Sequence, residues 1–398
     1  MHMKIKCLFL LSPILAGVLS WGAQPTLAPL FLGGPAGIAG NGALGIFVNG
    51  PYAYVAAGTN GLVILDITDS QRPVKIGVYD TPGIATDVFI QGNLAFVADG
   101  SKGSLQIIDV QHPESPKFVA SKLYNEVQGV LAAGHYVYLA TGIGGLLVLD
   151  FNDPSHLVTT GVYDTPRNAT SVKLFDNVLY VTDSFAGLFI FDMADPSRPA
   201  KIGQFDTAGY LGDVHVLGRF AYLADGASGL SIVDVSVPAT PVLVGRNLST
   251  KFAYKVLVDG GRAFVATGIT GWQMVDVSDP VAPVVRAIYH LNGAAAHAAK
   301  SGDKYWVVDG DGGVNILQEG SNQISQEFTL INPGWSKTAG FTVLVPVISG
   351  SYALEHRASV DAPWTVRSSF STTLPGVRRV NDVSANARPN GFYRMTRN

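Results

Sequence analysis

Along residues 84–124, four short apolar or alternating runs stand out, at 86–90, 94–98, 105–110 and 117–123. Turn residues separate them: Gly92-Asn93, then 99–103, then a segment at 112–116 that holds two prolines. Short runs rich in Val, Ile, Phe and Leu, bounded by Gly, Asn, Asp and Pro, predict β-strands. No window of helical length sustains a 3.6-residue apolar period.

The four-run unit repeats. A signature close to Gly-Leu-x-Ile-x-Asp-Val opens at Gly61, Gly103, Gly145, Gly187, Gly229, Gly271 and Gly313, each 42 residues after the last. The second run ends at Ala57, Asp99, Thr141, Asp183, Asp225, Thr267 and Asp309 with the same spacing. The third ends in Asp66, Asp109, Asp150, Asp192, Asp234 and Asp276, whereas the seventh copy has Gln318. One extra residue near Ser104 sets Asp109 a place late. Four strands in a unit of this length is the size of a propeller blade. The expected fold is therefore all-β: a seven-bladed β-propeller of four-stranded blades over residues 43–331, plus a small C-terminal β domain. Either residues 326–331 or residues 26–32 complete the last blade, and the sequence favours the former.

A proline-containing turn follows the third strand at 69–73, 153–154, 195–199, 237–241 and 279–283. Asp or Ser ahead of Pro favours a turn, and the proline stops the third strand before the outermost one, where a missing N–H is tolerable. The copies carry Leu62-Val-Ile-Leu-Asp66, Leu230-Ser-Ile-Val-Asp234, the connectors Tyr79-Asp80-Thr81-Pro82 and Tyr163-Asp164-Thr165-Pro166, and Phe96-Val-Ala-Asp-Gly100. This combination resembles the LVIVD-repeat family of bacterial and archaeal surface proteins. The resemblance covers about residues 43–331 and implies a β-propeller. It implies little about activity, since the role of that family is largely undefined. The Trp-Asp dipeptide of WD-type repeats is absent, and Gly-His occurs only once, at Gly134-His135.

Residues 1–23 read as a secretory signal, with a basic start at His2, Lys4 and Lys6, an apolar run at 7–19 and small residues before position 24. The apolar run is shorter than the roughly 20 residues of a membrane span, so no transmembrane segment is expected in the mature chain. Cys7, the only cysteine, lies inside this segment. Loss of the signal would leave no disulfide, no thiolate metal site and no cysteine nucleophile. Residues 24–42 read as a lead-in and 332–339 as a linker. Residues 340–398 resemble the small C-terminal β-sandwich modules of secreted proteins from Verrucomicrobia- and Planctomycetes-like bacteria, through Tyr352-x-Leu-Glu355, Ser359-Val-Asp-x-x-Trp364 and Phe392-Tyr393-Arg394. From residue 333 onward eight Lys/Arg face three Asp/Glu, while the whole chain carries −3. That basic end could attach to an anionic surface or simply be a solvated face.

Charged residues make up 14% of the chain, against about 25% in an average protein, and no charge run or motif points to a nucleic-acid partner. Gly40-Asn-Gly42-Ala-Leu-Gly45 spells GxGxxG but precedes a strand where a dinucleotide fingerprint opens a helix. HExxH and GxSxG are absent. Asn168 and Asn247 open sequons that matter only in a eukaryote. Trp272 and Trp306 could stack on sugars, but their repeat positions favour core packing.

In a propeller, the second-to-third-strand loops and the connectors into each inner strand crowd one face. Here that face collects Asp99, Asp183, Asp225 and Asp309, with Asp80, Asp164, Asp206 and His290. Carboxylate-rich loops suit Ca²⁺. The best local case is Asp309-Gly-Asp311-Gly, a fragment of a calcium-loop pattern without the downstream bidentate Glu, and no cofactor other than Ca²⁺ is hinted at. Alternatively each repeated Asp accepts hydrogen bonds from its own turn. The channel-side position of each copy reads Gly45, Asp87, Gly129, Ser171, Asp213, Lys255 and His297. Asp213, Lys255 and His297, on consecutive blades, and Asp87 at the same phase are the candidate ligand-binding residues. They could bind a polar ligand, perform acid–base work or form a hydrogen-bonded plug. No catalytic residue is assigned. The expected function is an exported, non-catalytic binding scaffold, secreted, periplasmic or at the cell surface, for a protein or polysaccharide partner. The alternatives are a hydrolase- or lyase-like enzyme at the channel mouth, which requires those three side chains within about 3 Å of each other or of one shared water, and a structural surface-layer role.

Overall fold

In the second strand of the first blade, Tyr52–Ala56, successive side chains serve different neighbours. Ala53 and Val55 pack toward the seventh blade, and Tyr54 and Ala56 toward the second. Strand side chains alternate between faces. With a blade on either side both faces are dry, which is why these strands read as near-continuous apolar runs. Seven apolar clusters result among the described residues, one at each blade–blade interface.

The computed structural model describes residues 42–319 except 71, 101–103, 125, 155, 290–292 and 311–312, together with strands at 27–30 and within 334–397. The sequence-derived signal segment 1–23, His290 and Asp311 lie outside the described residues. Among the described residues no helix is long and apolar enough to cross a membrane.

Seven four-stranded antiparallel sheets form the propeller. The inner strands are Gly45–Asn49, Asp87–Gln91, Gly129–Ala133, Ala169–Phe175, Asp213–Leu217, Lys255–Asp259 and His297–Ser301. Each touches the next, and the seventh returns to the first. Bridges such as Gly58–Ala85, Gly142–Ala169 and Gly268–Ala295 tie the second hairpin of one blade to the connector entering the next, and Ala43–Gly310 closes the circle. One face therefore carries the tips of the hairpins between second and third strands together with the connectors into the inner strands.

The signature glycine answers to this geometry. Gly61 has φ +68°, and a Cβ there would stand 2.2 Å from the Tyr79 carbonyl oxygen. Gly145, Gly187 and Gly229 meet the same obstacle from Tyr163, Phe205 and Asn247. The signature aspartate has a different task. Asp66, Asp109, Asp150, Asp192, Asp234 and Asp276 each accept the backbone N–H two residues on, which starts the turn toward the outer strand.

Two expectations need correction. The last blade is completed by the N-terminal strand Leu27–Leu30, which pairs antiparallel with Val314–Glu319 in the register Leu27↔Glu319 to Leu30↔Ile316. The favoured segment 326–331 lies outside the described residues. An outer strand drawn from the far end of the chain clasps the two ends of the ring, and Pro29 is tolerable there because an outermost strand leaves one edge unpaired. The expected linker 332–339 contains the strand Gly334–Ser336, which pairs with Gly340–Val347. With it, the C-terminal backbone forms two three-stranded sheets.

Candidate functional site

The inner strand of each blade has a sheet edge facing the axis, so its backbone groups there need partners. Asp87 and Asp213 meet that need in the same way. Asp87 accepts from Val88 N at 3.0 Å and from Val130 N of the next inner strand at 3.2 Å. Asp213 accepts from Val256 N of its next inner strand at 3.3 Å, and from Ser171 Oγ of the preceding one at 2.6 Å. Asp87 is thus engaged with backbone, which makes it a clamp between blades.

Lys255 Nζ stands 3.9 Å from Asp213 Oδ1, and Lys173 Nζ stands 4.0 Å from the same oxygen. His297 Nδ1 is buried and makes no hydrogen bond. The structure therefore brings Asp213, Lys255 and His297 into one charged group without closing a proton relay, since among the described residues Ser171 is the one side chain within hydrogen-bond distance of Asp213. Burial opposes ionisation of Asp213, but Lys255, Lys173 and His297 together with the Ser171 bond outweigh it and hold the carboxyl at about 2. Burial, then Lys255 and Lys173, push His297 down to about 4 against the pull of Asp87 and Asp213. Neither group is poised near neutral pH, where efficient proton transfer needs it.

Two members of the group were missed in the sequence. Lys173 and His215 sit two residues beyond Ser171 and Asp213, on the same inner strands. The equivalent positions elsewhere are Phe47, Phe89, Leu131, Leu257 and Ala299. A polar residue in that apolar row was the available signal. Burial and then Lys173 depress His215 to about 4, against Asp213 and Asp259. Burial also works against the charge on Lys173, yet Asp213 and Asp87 raise its pKa overall.

The two histidines give a pH signature. Their folded pKa values lie below the unfolded one, so between about pH 6.5 and 4 the unfolded chain binds more protons and their contribution lowers stability as pH falls. The melting temperature of the protein minus that of a His215→Asn/His297→Asn variant is expected to fall by a few degrees from pH 7 to pH 4.5. Parallel curves would contradict neutral burial of these rings.

The repeated acids on the face are occupied too, but not by their own turns. Asp99 accepts from Thr81 Oγ1 at 2.7 Å and Gly83 N at 2.8 Å. Asp183 accepts from Arg167 N and Asn168 N, Asp225 from Gly209 N, and Asp309 from Gly293 N. Each fully buried carboxylate pins the connector that enters its own blade. Asp309 engages Oδ2 in this way, its candidate partner Asp311 lies outside the described residues, and among the described residues no cluster of three or more metal-ligating side chains forms. Trp272 and Trp306 are buried in the blade interfaces and offer no surface for sugar stacking.

Beside the exposed connector acids Asp80, Asp164 and Asp206, the face exposes apolar side chains. The tips of the second hairpins present Ile143, Phe185 and Ile269 on the third, fourth and sixth blades, at 72%, 66% and 90% exposure. The same repeat position holds Thr59, Ser101 and Asp311 on the first, second and seventh. Connectors add Tyr210, edge-to-face with Phe185 at 5.5 Å between centroids, and exposed Phe252 and Tyr254. Phe252 has φ +63°, a left-handed conformation that is strained for a bulky side chain. The apolar arc lies over the same sector as the charged group in the channel.

Comparisons with solved structures agree on the fold. The chain is similar to the computationally designed Ika8 protein, with a TM-score of 0.55 and 8% identity over 72% of this chain and 99% of that one. It is also similar to BamB from Moraxella catarrhalis, with a TM-score of 0.51 and 15% identity over 71% and 84% of the two chains. No curated protein matches the sequence. Residues 40–81, 82–123, 126–165, 166–207, 208–248 and 252–290 match the LVIVD repeat. The divergent seventh blade falls outside these matches, as its Gln318 foreshadows. With six matched repeats spanning more than half of its length, this chain belongs to the LVIVD repeat family.

Proposed function

We propose that the protein is a non-catalytic interaction scaffold that presents the hairpin-tip face of blades three to six to a protein partner. The observation that carries this reading is the apolar arc of Ile143, Phe185, Phe252 and Ile269. These side chains break the repeat at positions where blade packing asks for nothing, and three of them occupy one equivalent site. Contiguous exposed apolar side chains rimmed by polar ones mark interaction surfaces, and aromatic residues dominate the energy of such contacts. A strained backbone that holds Phe252 outward supports the same reading. Residues 1–23 support export, which would place the partner outside the cytoplasm, and the basic C-terminal segment is suited to an anionic surface there.

Phe185→Glu combined with Ile269→Glu tests the proposal. Both side chains are exposed, so the melting temperature is expected to stay within about 2 °C. Capture of the partner from extracts of cells that make the protein should drop at least tenfold. Capture of the same protein by the variant at undiminished yield would overturn the assignment of this face, and capture of a polysaccharide alone would overturn the partner class.

A further inference from the structure

Lys173 and Lys255 both approach one oxygen, Asp213 Oδ1, and both stop short of hydrogen-bond distance. That oxygen already accepts from Ser171, and its companion accepts from Val256 N. Among the described residues neither ammonium group has a hydrogen-bond acceptor, although each carries three donors. Both lie within 4.0 Å of one atom, so they stand at most about 8 Å apart and repel each other. Beside them, His297 Nδ1 is buried without a partner. Among the described residues the acids nearest this group are Asp213 itself, Asp87, whose oxygens are taken by backbone N–H groups, and Asp259, which acts on His215.

We propose that the channel mouth binds a carboxylate, with Lys173 and Lys255 each donating to one of its oxygens. Charge-assisted N–H···O bonds are about 2.8 Å long, so a carboxylate with one oxygen for each amine can bridge separations up to that limit. A neutral sugar would offer only uncharged, weaker acceptors to the two amines, and a cation would be repelled by both. The lysines sit on inner strands of the fourth and sixth blades, whose hairpin tips and connectors carry Phe185, Phe252 and Ile269, so an acidic side chain or C-terminus of a protein docked there is the source of the carboxylate. That source rests on the function proposed above, whereas binding of the carboxylate itself does not. A free organic acid shares the chemistry.

The test needs no partner. Acetate, and separately a short neutral-capped peptide with one Glu, are titrated into the purified protein labelled with ¹⁵N-histidine, at constant ionic strength set by chloride. The expected result is a saturable shift of the His297 ring resonances at millimolar concentration, absent with chloride or with the Gln peptide. His297 should also titrate at higher pH in acetate, because the bound charge offsets Lys173 and Lys255 while Asp87 and Asp213 stay as they are. Lys173→Met or Lys255→Met should weaken binding at least tenfold, and Lys255→Arg, which keeps the charge should the first variants fold poorly, should retain it. Peptide binding without acetate binding identifies a presented side chain as the source, and the reverse identifies a free acid. No saturable shift with either probe, or unchanged affinity in folded Lys→Met variants, overturns the proposal. Loss of the apolar face in Phe185→Glu leaves acetate binding intact, so the two readings fail separately.

Discussion

Cysteines introduced at Ala28 and Gln318 are expected to join in a disulfide under mild oxidation and to raise the melting temperature sharply. These residues are register partners between the N-terminal strand and the last strand of the seventh blade. Paired antiparallel strands bring Cα atoms to about 4.5–5.5 Å, inside the range a disulfide spans. The bond would close a loop of roughly 290 residues, for which the chain-entropy account gives about 6 kcal/mol. The complementary deletion of residues 1–33 should do the opposite. It strips the outer strand from one blade, exposes the edge of Val314–Glu319, and unfastens the cluster that joins Ile46, Val55 and Leu65 to Trp306 and Ile316. A fall of ~10 °C or more, with concentration-dependent association through the bared edge, is the expected outcome. Disulfide formation by a cysteine between 326 and 331 in preference to Ala28→Cys would show that the chain closes its ring from the other end.

Gly203→Val is expected to destabilise the protein by ~3 kcal/mol or more. Gly203 lies midway along the outer strand of the fourth blade, and a Cβ there would stand 1.8 Å from the carbonyl oxygen of Pro238, in the turn of the fifth. Gly77 against Pro113 and Gly245 against Pro280 repeat the contact at 1.9 and 2.0 Å. The obstacle is backbone, so no rotamer relieves it, and the blades must part. Ile202→Val, one residue earlier on a partly exposed side chain, should change the melting temperature by less than about 2 °C. A Gly203→Val variant as stable as the parent would mean that the blades are less tightly apposed than described.

These glycines show where sequence reading stops. The proline turns were legible as strand terminators, since proline and its preceding Asp act locally. Their second role, as the wall against which the neighbouring outer strand is pressed, depends on a contact between blades. The same division holds at the site. The 42-residue spacing was enough to put Asp213, Lys255 and His297 on adjacent inner strands and Trp272 and Trp306 in repeat positions. It could not tell that Asp87 would be consumed by Val130 N, or that the repeated acids would pin connectors 15 or 16 residues earlier. Lys173 and His215 were visible as departures from an apolar row, yet only the curvature of the ring directs them at Asp213. The closing strand was the hardest to find, because Leu27-Ala-Pro-Leu30 is too short and too interrupted to announce its partner.

The central claim is that one face of one sector engages a protein. Photo-cross-linking amino acids placed singly at Phe185 and Ile269, and as controls at Gly92 and Gly218 on the opposite face, test it most directly in cells that make the protein. The account predicts one discrete adduct shared by the Phe185 and Ile269 probes, lost on Phe252→Gly, and absent from the controls. Adducts of equal yield from both faces, or none from Phe185 and Ile269, would contradict it.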